Sequence, residues 1–290
     1  MSAEQPGTNL AALLDRADEV ATRGDARAAV SFYQAALLQA RSARGLDAGM
    51  VLRLRRGQEF IQLRTKEFER TLDQSLPTDP PADAAAALRL NHAIDIVKGT
   101  RELYPQQPSM FYYPYLPQRQ FFERQEFAWT VALEAATREI VHELRALLSE
   151  GADFRPYVER DPERPPRDFH GLTENRSWTA LYIWKHGRFV DEIAERCPAT
   201  VRALEGVPLS RIGSRTPSVF FSRLEPGAHI PPHTGMLNSR LICHLPLIVP
   251  AGCTLRVGNE TRAWEEGELL IFDDSIEHEA RNPTGEVRIV

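Results

Sequence analysis

Along residues 9–40 the apolar positions recur at helical spacing. Leu10, Leu13, Leu14, Ala17, Val20 and Ala21 fall on one stripe, which predicts an amphipathic helix. Gly24-Asp25 breaks the stripe, the glycine ending one helix and Asp25 capping the next. In the following "ARAAVSFYQAALLQA", Ala28, Ala29, Ala35 and Ala36 allow close approach while Phe32, Tyr33 and Leu37 fill the seam. Helical pattern continues over 47–75 and 82–98, interrupted by "LPTDPPAD" at 76–83, whose last Asp is a cap. "YPQQPSMFYYPYLPQRQFF" (104–122) holds four prolines and many aromatics, so no long helix fits. It is too apolar for a disordered linker and is expected to be irregular, its aromatics at 111–122 packing between the two halves of the chain. Helical period returns over 126–150 with Phe127, Val131, Leu133, Ile140, Val141, Leu144 and Leu147.

The charged, proline-rich "RDPERPPRD" (160–168) marks a boundary, and beyond about residue 170 the period changes. "SWTALYIW", "SVFFSRLEP", "RLICHLPLIV", "CTLRVGNE", "GELLIFDD" and "EVRIV" are short β-rich runs separated by Gly, Pro, Asn and Asp. Residues 184–206 predict a helical insert among them. The fold class is therefore α+β: a helical region over 1–150, then a jelly-roll-like domain over 165–290.

"GDARAAVSFYQAAL" resembles one tetratricopeptide repeat, although no second clean copy follows and a plain helical hairpin fits the same residues. A repeat of that kind implies a surface for a protein partner. Composition narrows the rest. With 35 Lys+Arg against 40 Asp+Glu the net charge is −5, which argues against nucleic acid as the main partner. Three cysteines without motif spacing fit a reducing, cytoplasmic setting. No run is long and apolar enough to predict a membrane span.

The candidate chemistry lies in "PGAHIPPHTGMLNSRLICHLPL" (226–247). Pro231 and Pro232 rule out a helical His pair at His229 and His233. A partner for His233 must come from elsewhere, and His278 in "FDDSIEHEARNP" is the best candidate. Two imidazoles from strand ends suit a divalent metal such as Fe(II), Zn or Cu, though core or surface histidines explain the same spacing. Alternation along 240–247 puts Arg240, Ile242, His244 and Pro246 on one face. Leu241, Cys243, Leu245 and Leu247 fall on the other, which should pack on a core. An inward Arg240 implies an anion or a wet pocket, and a solvent-facing strand is the alternative. Arg288, ten residues after His278, is a second cation suited to a carboxylate. Asp273 and Asp274 are read as turn residues, Glu277 and Glu279 as solvated, His229 as a rim residue and Trp264 as a packed hairpin aromatic. His92, His142, His170 and His186 are read as surface residues.

The segments "SWTALYIWKHGR", "SRLEPGAHIPPHTGMLNSRLICHLPLIVP", "GCTLRVGNETRAWEEGELLIFDDSIEHEARN" and "VRIV" resemble the aspartyl/asparaginyl β-hydroxylase family. The resemblance covers roughly residues 175–290. It implies a double-stranded β-helix and a dioxygenase that uses Fe(II), 2-oxoglutarate and O2. It implies iron ligands at His233 and His278, and Arg288 with Ser222 on the distal carboxylate of 2-oxoglutarate. Trp178 and His244 would line that pocket, and Arg240 would face a carboxylate-bearing substrate. Gly235 stands where a third, carboxylate ligand falls in related oxygenases, an absence this family shares. Ile242 and Ala180 depart from the animal members' polar residues, which opens the substrate. An aspartyl or asparaginyl residue of a peptide or protein is the first expectation. A free amino acid or lipid acyl chain is the alternative, and an inactive scaffold is the non-enzyme rival.

Overall fold

The computed structural model describes residues 6–76, 83–160, 163, 165, 169, 171–213 and 215–290. His170 and residues 77–82 of the 76–83 break lie outside the described residues. The chain divides into two compact units, one reaching to Arg101 and one running from Glu102 to Val290.

The first unit holds α1 (Pro6–Thr22), α2 (Ala26–Ala40), α3 (Ala48–Ser75) and α4 (Ala84–Lys98). Gly24, at φ 85°, turns the chain between α1 and α2, and the Asp25 carboxylate accepts from the Ala28 amide at 3.0 Å. The predicted stripe is the core: Leu10, Leu14, Ala17 and Val20 bury against Ala29, Tyr33, Ala36 and Leu54. Gly57 of α3 lies against the Tyr33 ring, so a side chain there would collide with it. This is a packed helical hairpin with a third helix laid on it.

The second unit opens with the proline-aromatic segment, which does not pack as expected. Its end forms β1 (Phe121–Phe122), while Phe111, Tyr112, Tyr113 and Tyr115 are exposed. A 3-10 turn (Arg124–Glu126), α5 (Thr130–Ala135) and α6 (Thr137–Ser149) follow. In α6, Ile140, Leu144 and Leu147 bury at i, i+4 and i+7; Val131 of α5 is exposed. The division thus falls at 101/102, ahead of the expected 150/165 boundary. The physical reason is that α6 needs the sheets to cover its stripe.

The strands are β2 (Arg155–Pro156), β3 (Trp178–Lys185), β4 (Arg188–Phe189), β5 (Val219–Leu224), β6 (His229–His233), β7 (Ile242–His244), β8 (Thr254–Val257), β9 (Glu260–Ala263), β10 (Leu270–Phe272), β11 (His278–Arg281) and β12 (Arg288–Ile289). Between β4 and β5 the expected helical insert reduces to α7 (Asp191–Ala194) and α8 (Pro198–Leu204). Every pairing between strands is antiparallel. They form three sheets, ordered β1-β10-β7, β6-β11-β8-β9 and β12-β5-β3-β2, with β4 on β3. No sheet among the described residues closes into a barrel.

Alternation sorts the strands between two cores. Leu181, Ile183, Phe221 and Ile289 join α6, Leu247 and Ile271 in one; Leu224, Ile230, Leu255, Val257, Phe272 and Ile276 make the other. β7 corrects one expectation. Leu241, Leu245 and Leu247 do pack on the first core, but Cys243 is exposed, because β7 is a three-residue edge strand. No helix among the described residues is long and apolar enough to cross a membrane.

Candidate active site

Pro231 and Pro232, in the 226–247 stretch, build the site's central feature. Across β6 and β11, His278 faces His233 and Ala280 faces Ile230, with a register shift between. β11 has one residue between the paired positions, Glu279, and β6 has two, Pro231 and Pro232. That is a β-bulge, and prolines suit it because the bulged residues need not donate to the ladder. Its consequence is geometric. A regular strand would put Ile230 and His233 on opposite faces; the extra residue turns both inward. The two imidazoles end with ring centroids 4.1 Å apart.

Both rings are aimed by backbone. His233 Nδ1 bonds Pro231 O at 2.8 Å and His278 Nδ1 bonds Ile276 O at 3.0 Å. A carbonyl only accepts, so Nδ1 carries the hydrogen in each ring and Nε2 carries the lone pair, the arrangement a metal-binding imidazole needs. Phe169 lies edge-on to His233 at 5.5 Å and Phe272 flanks His278 at 5.5 Å. Burial lowers the His278 pKa, keeping the ring neutral. Among the described residues no cluster of three His, Cys, Asp or Glu gathers around a metal position.

Contacts run from this pair to Arg288 by two routes. On one side His233 meets Trp178 at 6.5 Å, and Trp178 Nε1 donates to Ser222 Oγ at 3.1 Å. On the other, Phe272 meets His244 at 5.0 Å, and Trp264 Nε1 donates to His244 Nδ1 at 3.3 Å. The Arg288 guanidinium lies over the Trp264 ring at 4.7 Å. Since His244 Nδ1 accepts, its hydrogen is on Nε2. Burial and the nearby Arg288 charge push its pKa down to about 3, so it is a neutral donor.

Arg288 itself is 1% exposed. Strand alternation explains why: Ile289 turns into the α6 core, so its neighbour Arg288 turns to the opposite side, with Leu224 across the ladder. Its protein hydrogen bond is a long one, 3.4 Å to the Ser222 carbonyl, and Nε has no partner. Burial lowers its pKa to about 10, still a cation at neutral pH. A buried cation without a counter-charge is expensive, and the arrangement suits a carboxylate ligand taken by the guanidinium fork.

Arg240 sits beside Asp274, Nη2 to Oδ2 at 3.4 Å, with Nε unpartnered. Asp274 lies in the turn after β10, as expected, and is buried there. A Cβ added to Gly235 would land on the Asp274 carboxyl, so the missing side chain at 235 makes room for it. Burial raises the Asp274 pKa against the lowering effect of Arg240. Glu279 is also buried rather than solvated: it accepts from Arg256 at 2.6 Å and from Arg281, and bonds His229 Nε2 at 2.7 Å. These bonds lie on the outer face of β11, since Glu279 alternates with inward His278 and Ala280. His229 is half-exposed on that same outer face.

His233, His278, His244, Trp178, Ser222 and Arg288 are therefore joined by contacts from six strand positions, with Arg240 beside Asp274. Trp264 is the residue that the hairpin reading missed; its position in the alternation did not show that its ring would lie under Arg288. Tyr157, stacked on Trp178 at 4.0 Å, and Phe169 were missed because no strand pattern carries them. His142 and His186 are exposed and His92 is half-buried.

The His pair, linked through these contacts to a buried cation whose fork suits a carboxylate, is the candidate site, and comparison with known proteins gives its class. The aspartyl/asparaginyl beta-hydroxylase family description matches residues 134–290, and the chain belongs to that hydroxylase family. It is 40% identical over 126 residues to the human aspartyl/asparaginyl beta-hydroxylase, covering 43% of this chain and 16% of that protein. It is 31% identical over 172 residues to the ornithine lipid ester-linked acyl 2-hydroxylase of Rhizobium tropici, covering 58% and 57%. It is 33% identical over 182 residues to mouse aspartate beta-hydroxylase domain-containing protein 1, covering 60% and 46%. The chain thus spans less than two thirds of each of these relatives.

Proposed function

We propose that the second unit is an Fe(II)- and 2-oxoglutarate-dependent dioxygenase on a double-stranded β-helix. The observation that carries this reading is the buried Arg288, which among the described residues has no counter-charge and is linked by side-chain contacts to two imidazoles whose Nδ1 atoms are held by backbone carbonyls. His233 and His278 would hold the ferrous ion through Nε2, a donor set that suits it. Arg288 and Ser222 would hold the distal carboxylate of 2-oxoglutarate, with Trp178 and His244 as walls and His244 Nε2 as a donor. When bound, iron and cosubstrate together supply the oxidising chemistry that turns a C–H bond and O2 into an alcohol, with succinate and carbon dioxide as coproducts. The chain's own residues position the reactants, exclude water and keep the His pair unprotonated.

For the substrate, Arg240 would receive a carboxylate, which supports hydroxylation at the β-carbon of an aspartyl or asparaginyl residue in a peptide or protein. A second reading, an acyl chain, is favoured by one observation. Beyond Trp178 and Ala180, the same sheet face continues as Tyr182 and Phe220, with Tyr157 over it. Tyr157 meets Phe220 at 5.3 Å, and Phe220 meets Tyr182 at 4.9 Å. This wall is aromatic, with the Lys185 ammonium over the Tyr182 ring at 4.6 Å, and one relative is named an acyl 2-hydroxylase. The helical first unit, with its tetratricopeptide-like hairpin, would serve as a protein-binding region. The test is incubation with Fe(II), O2 and 2-oxoglutarate, scoring succinate. Aspartyl peptides, free aspartate and acyl amides are added in parallel. Absence of succinate under every condition defeats the dioxygenase reading.

A further inference from the structure

Residues 103–118, "LYPQQPSMFYYPYLPQ", carry no charged side chain over sixteen positions. The apolar groups are not hidden. Met110 is 65% exposed, Phe111, Tyr112 and Tyr113 are each about half exposed or more, and Tyr115 is fully exposed. Met236 adds to the same patch at 47%. Contiguous apolar surface of this kind marks an interaction site.

The display is built. Ser109 N donates to Gly235 O at 3.0 Å, Met110 N and Phe111 N both donate to Met236 O at 3.1 Å, and Gln107 N donates to Ser275 O at 2.7 Å. Asn238, 4% exposed, accepts from Tyr113 N at 2.7 Å and donates to Tyr113 O at 2.9 Å and to Gln106 Oε1 at 3.0 Å. A buried amide is thus committed to holding an exposed aromatic loop. Tyr115 adopts φ 68°, a left-handed conformation that a non-glycine residue holds only when its surroundings impose it. The anchor points Gly235 and Ser275 lie two residues past His233 and three before His278, so the loop borders the candidate site.

The occupant follows from charge. An acidic peptide or protein surface would be met by free cations, yet neither 103–118 nor 234–239 contains a cation, and those at their edges are already paired: Arg119 with Glu126, Arg240 with Asp274, and Arg256, which lies over the Tyr104 ring, with Glu277 and Glu279. Tyrosine rings with Met and Phe suit a different phase, the boundary of a bilayer, where the ring body is buried and the hydroxyl stays at the headgroups. We infer that this rim docks the second unit on a lipid surface, so that an acyl chain reaches the site from the bilayer. The inference rests on the hydroxylase reading and deepens its acyl alternative. Without basic residues in the rim, docking does not require anionic lipid.

The experiment is co-sedimentation of the full chain with vesicles of phosphatidylcholine alone and of phosphatidylcholine with phosphatidylglycerol. The triple variant Tyr112→Ser/Tyr113→Ser/Tyr115→Ser and the variant Met110→Glu/Phe111→Glu are measured beside it, with thermal melts as the folding control. Expected is comparable binding to both vesicles and a loss of about 10-fold or more in partitioning for each variant, as removal of this much buried apolar surface requires. No binding by the parent chain overturns the inference. So does equal binding by the variants, or binding that appears only with phosphatidylglycerol. Binding of an aspartyl peptide that the rim substitutions weaken, without vesicle binding, assigns the rim to a peptide and also overturns it. Vesicle binding without succinate formation defeats the dioxygenase reading and leaves docking standing; succinate without vesicle binding does the reverse.

Discussion

Arg256 and Arg288 belong to one unit and are treated in opposite ways. On the outer face of the four-stranded sheet, Arg256 is saturated: Nε bonds Glu279, Nη2 bonds Glu277 and Nη1 bonds the Gly258 carbonyl. Glu279 in turn holds Arg281 and His229, and these partners hold its carboxyl at about 2 against the raising effect of burial. Arg288, on β12 of another sheet, has among the described residues one long hydrogen bond and an orphaned Nε. The first arrangement clamps β6, β8 and β11 together. The second is an unfinished interaction that a ligand would complete. A cation's function is thus read from what it lacks as much as from where it is.

The contrast can be broken by substitution. Arg288→Ala should weaken 2-oxoglutarate binding by about 100-fold or more, as expected for losing a charge-assisted fork, while the ligand-free melting temperature holds or rises. Titration calorimetry and a thermal scan read the two halves; unchanged affinity refutes the inner-face assignment. Glu279→Ala should do the reverse, destabilising the fold by about 3 kcal/mol because three cationic or imidazole partners lose their acceptor. Urea denaturation measures this, and a loss under about 1 kcal/mol would place Glu279 among ordinary surface ion pairs.

Gly235→Ala probes the space between the faces. Overpacking against the Asp274 carboxyl should cost about 1–3 kcal/mol and displace Arg240, raising the KM of a carboxylate substrate. A variant as stable as the parent would show that Asp274 moves freely.

The smallest effect is in pH. His278 and His244 are held neutral in the folded chain, their pKa values lowered chiefly by burial, to about 3 for His244. Unfolded, each takes a proton near pH 6.5, so the unfolded state binds more protons below that point. The stability they contribute is complete above pH 6.5 and is lost as pH falls toward the folded values. Without metal, the slope should reach at most about 1.4 kcal/mol per pH unit for each histidine. His244→Gln should remove one share of it in denaturation at pH 7 and pH 5.

Much of this was legible in the chain. The Leu10–Val20 stripe, the Asp25 cap and the Ile140–Leu147 stripe follow from helical period alone, because burying one face of a helix needs only the right spacing. His233, His278, Arg288 and His244 were identifiable as residue types out of place in apolar strands. Pairing was not legible, since register joins residues far apart in sequence. The bulge at Pro231-Pro232, which turns His233 to the side of Ile230, became visible only against β11. Asp274 was legible as a turn residue, but nothing local says that its carboxyl enters the space left at Gly235. Trp264 and Glu279 were likewise assigned by neighbours in sequence, and they work through neighbours in space.

By itself, then, the chain's order of residues determined which segments are helical, which are extended and which side chains could bind a metal or an anion. Those depend on periodicity and chemistry within a few residues. Tertiary structure alone decided which of those side chains share a site and which buried cation has no counter-charge among the described residues. Burial and counter-charge are properties of packed surfaces, and the residues that pack here are brought together from as far apart as Ser222 and Arg288.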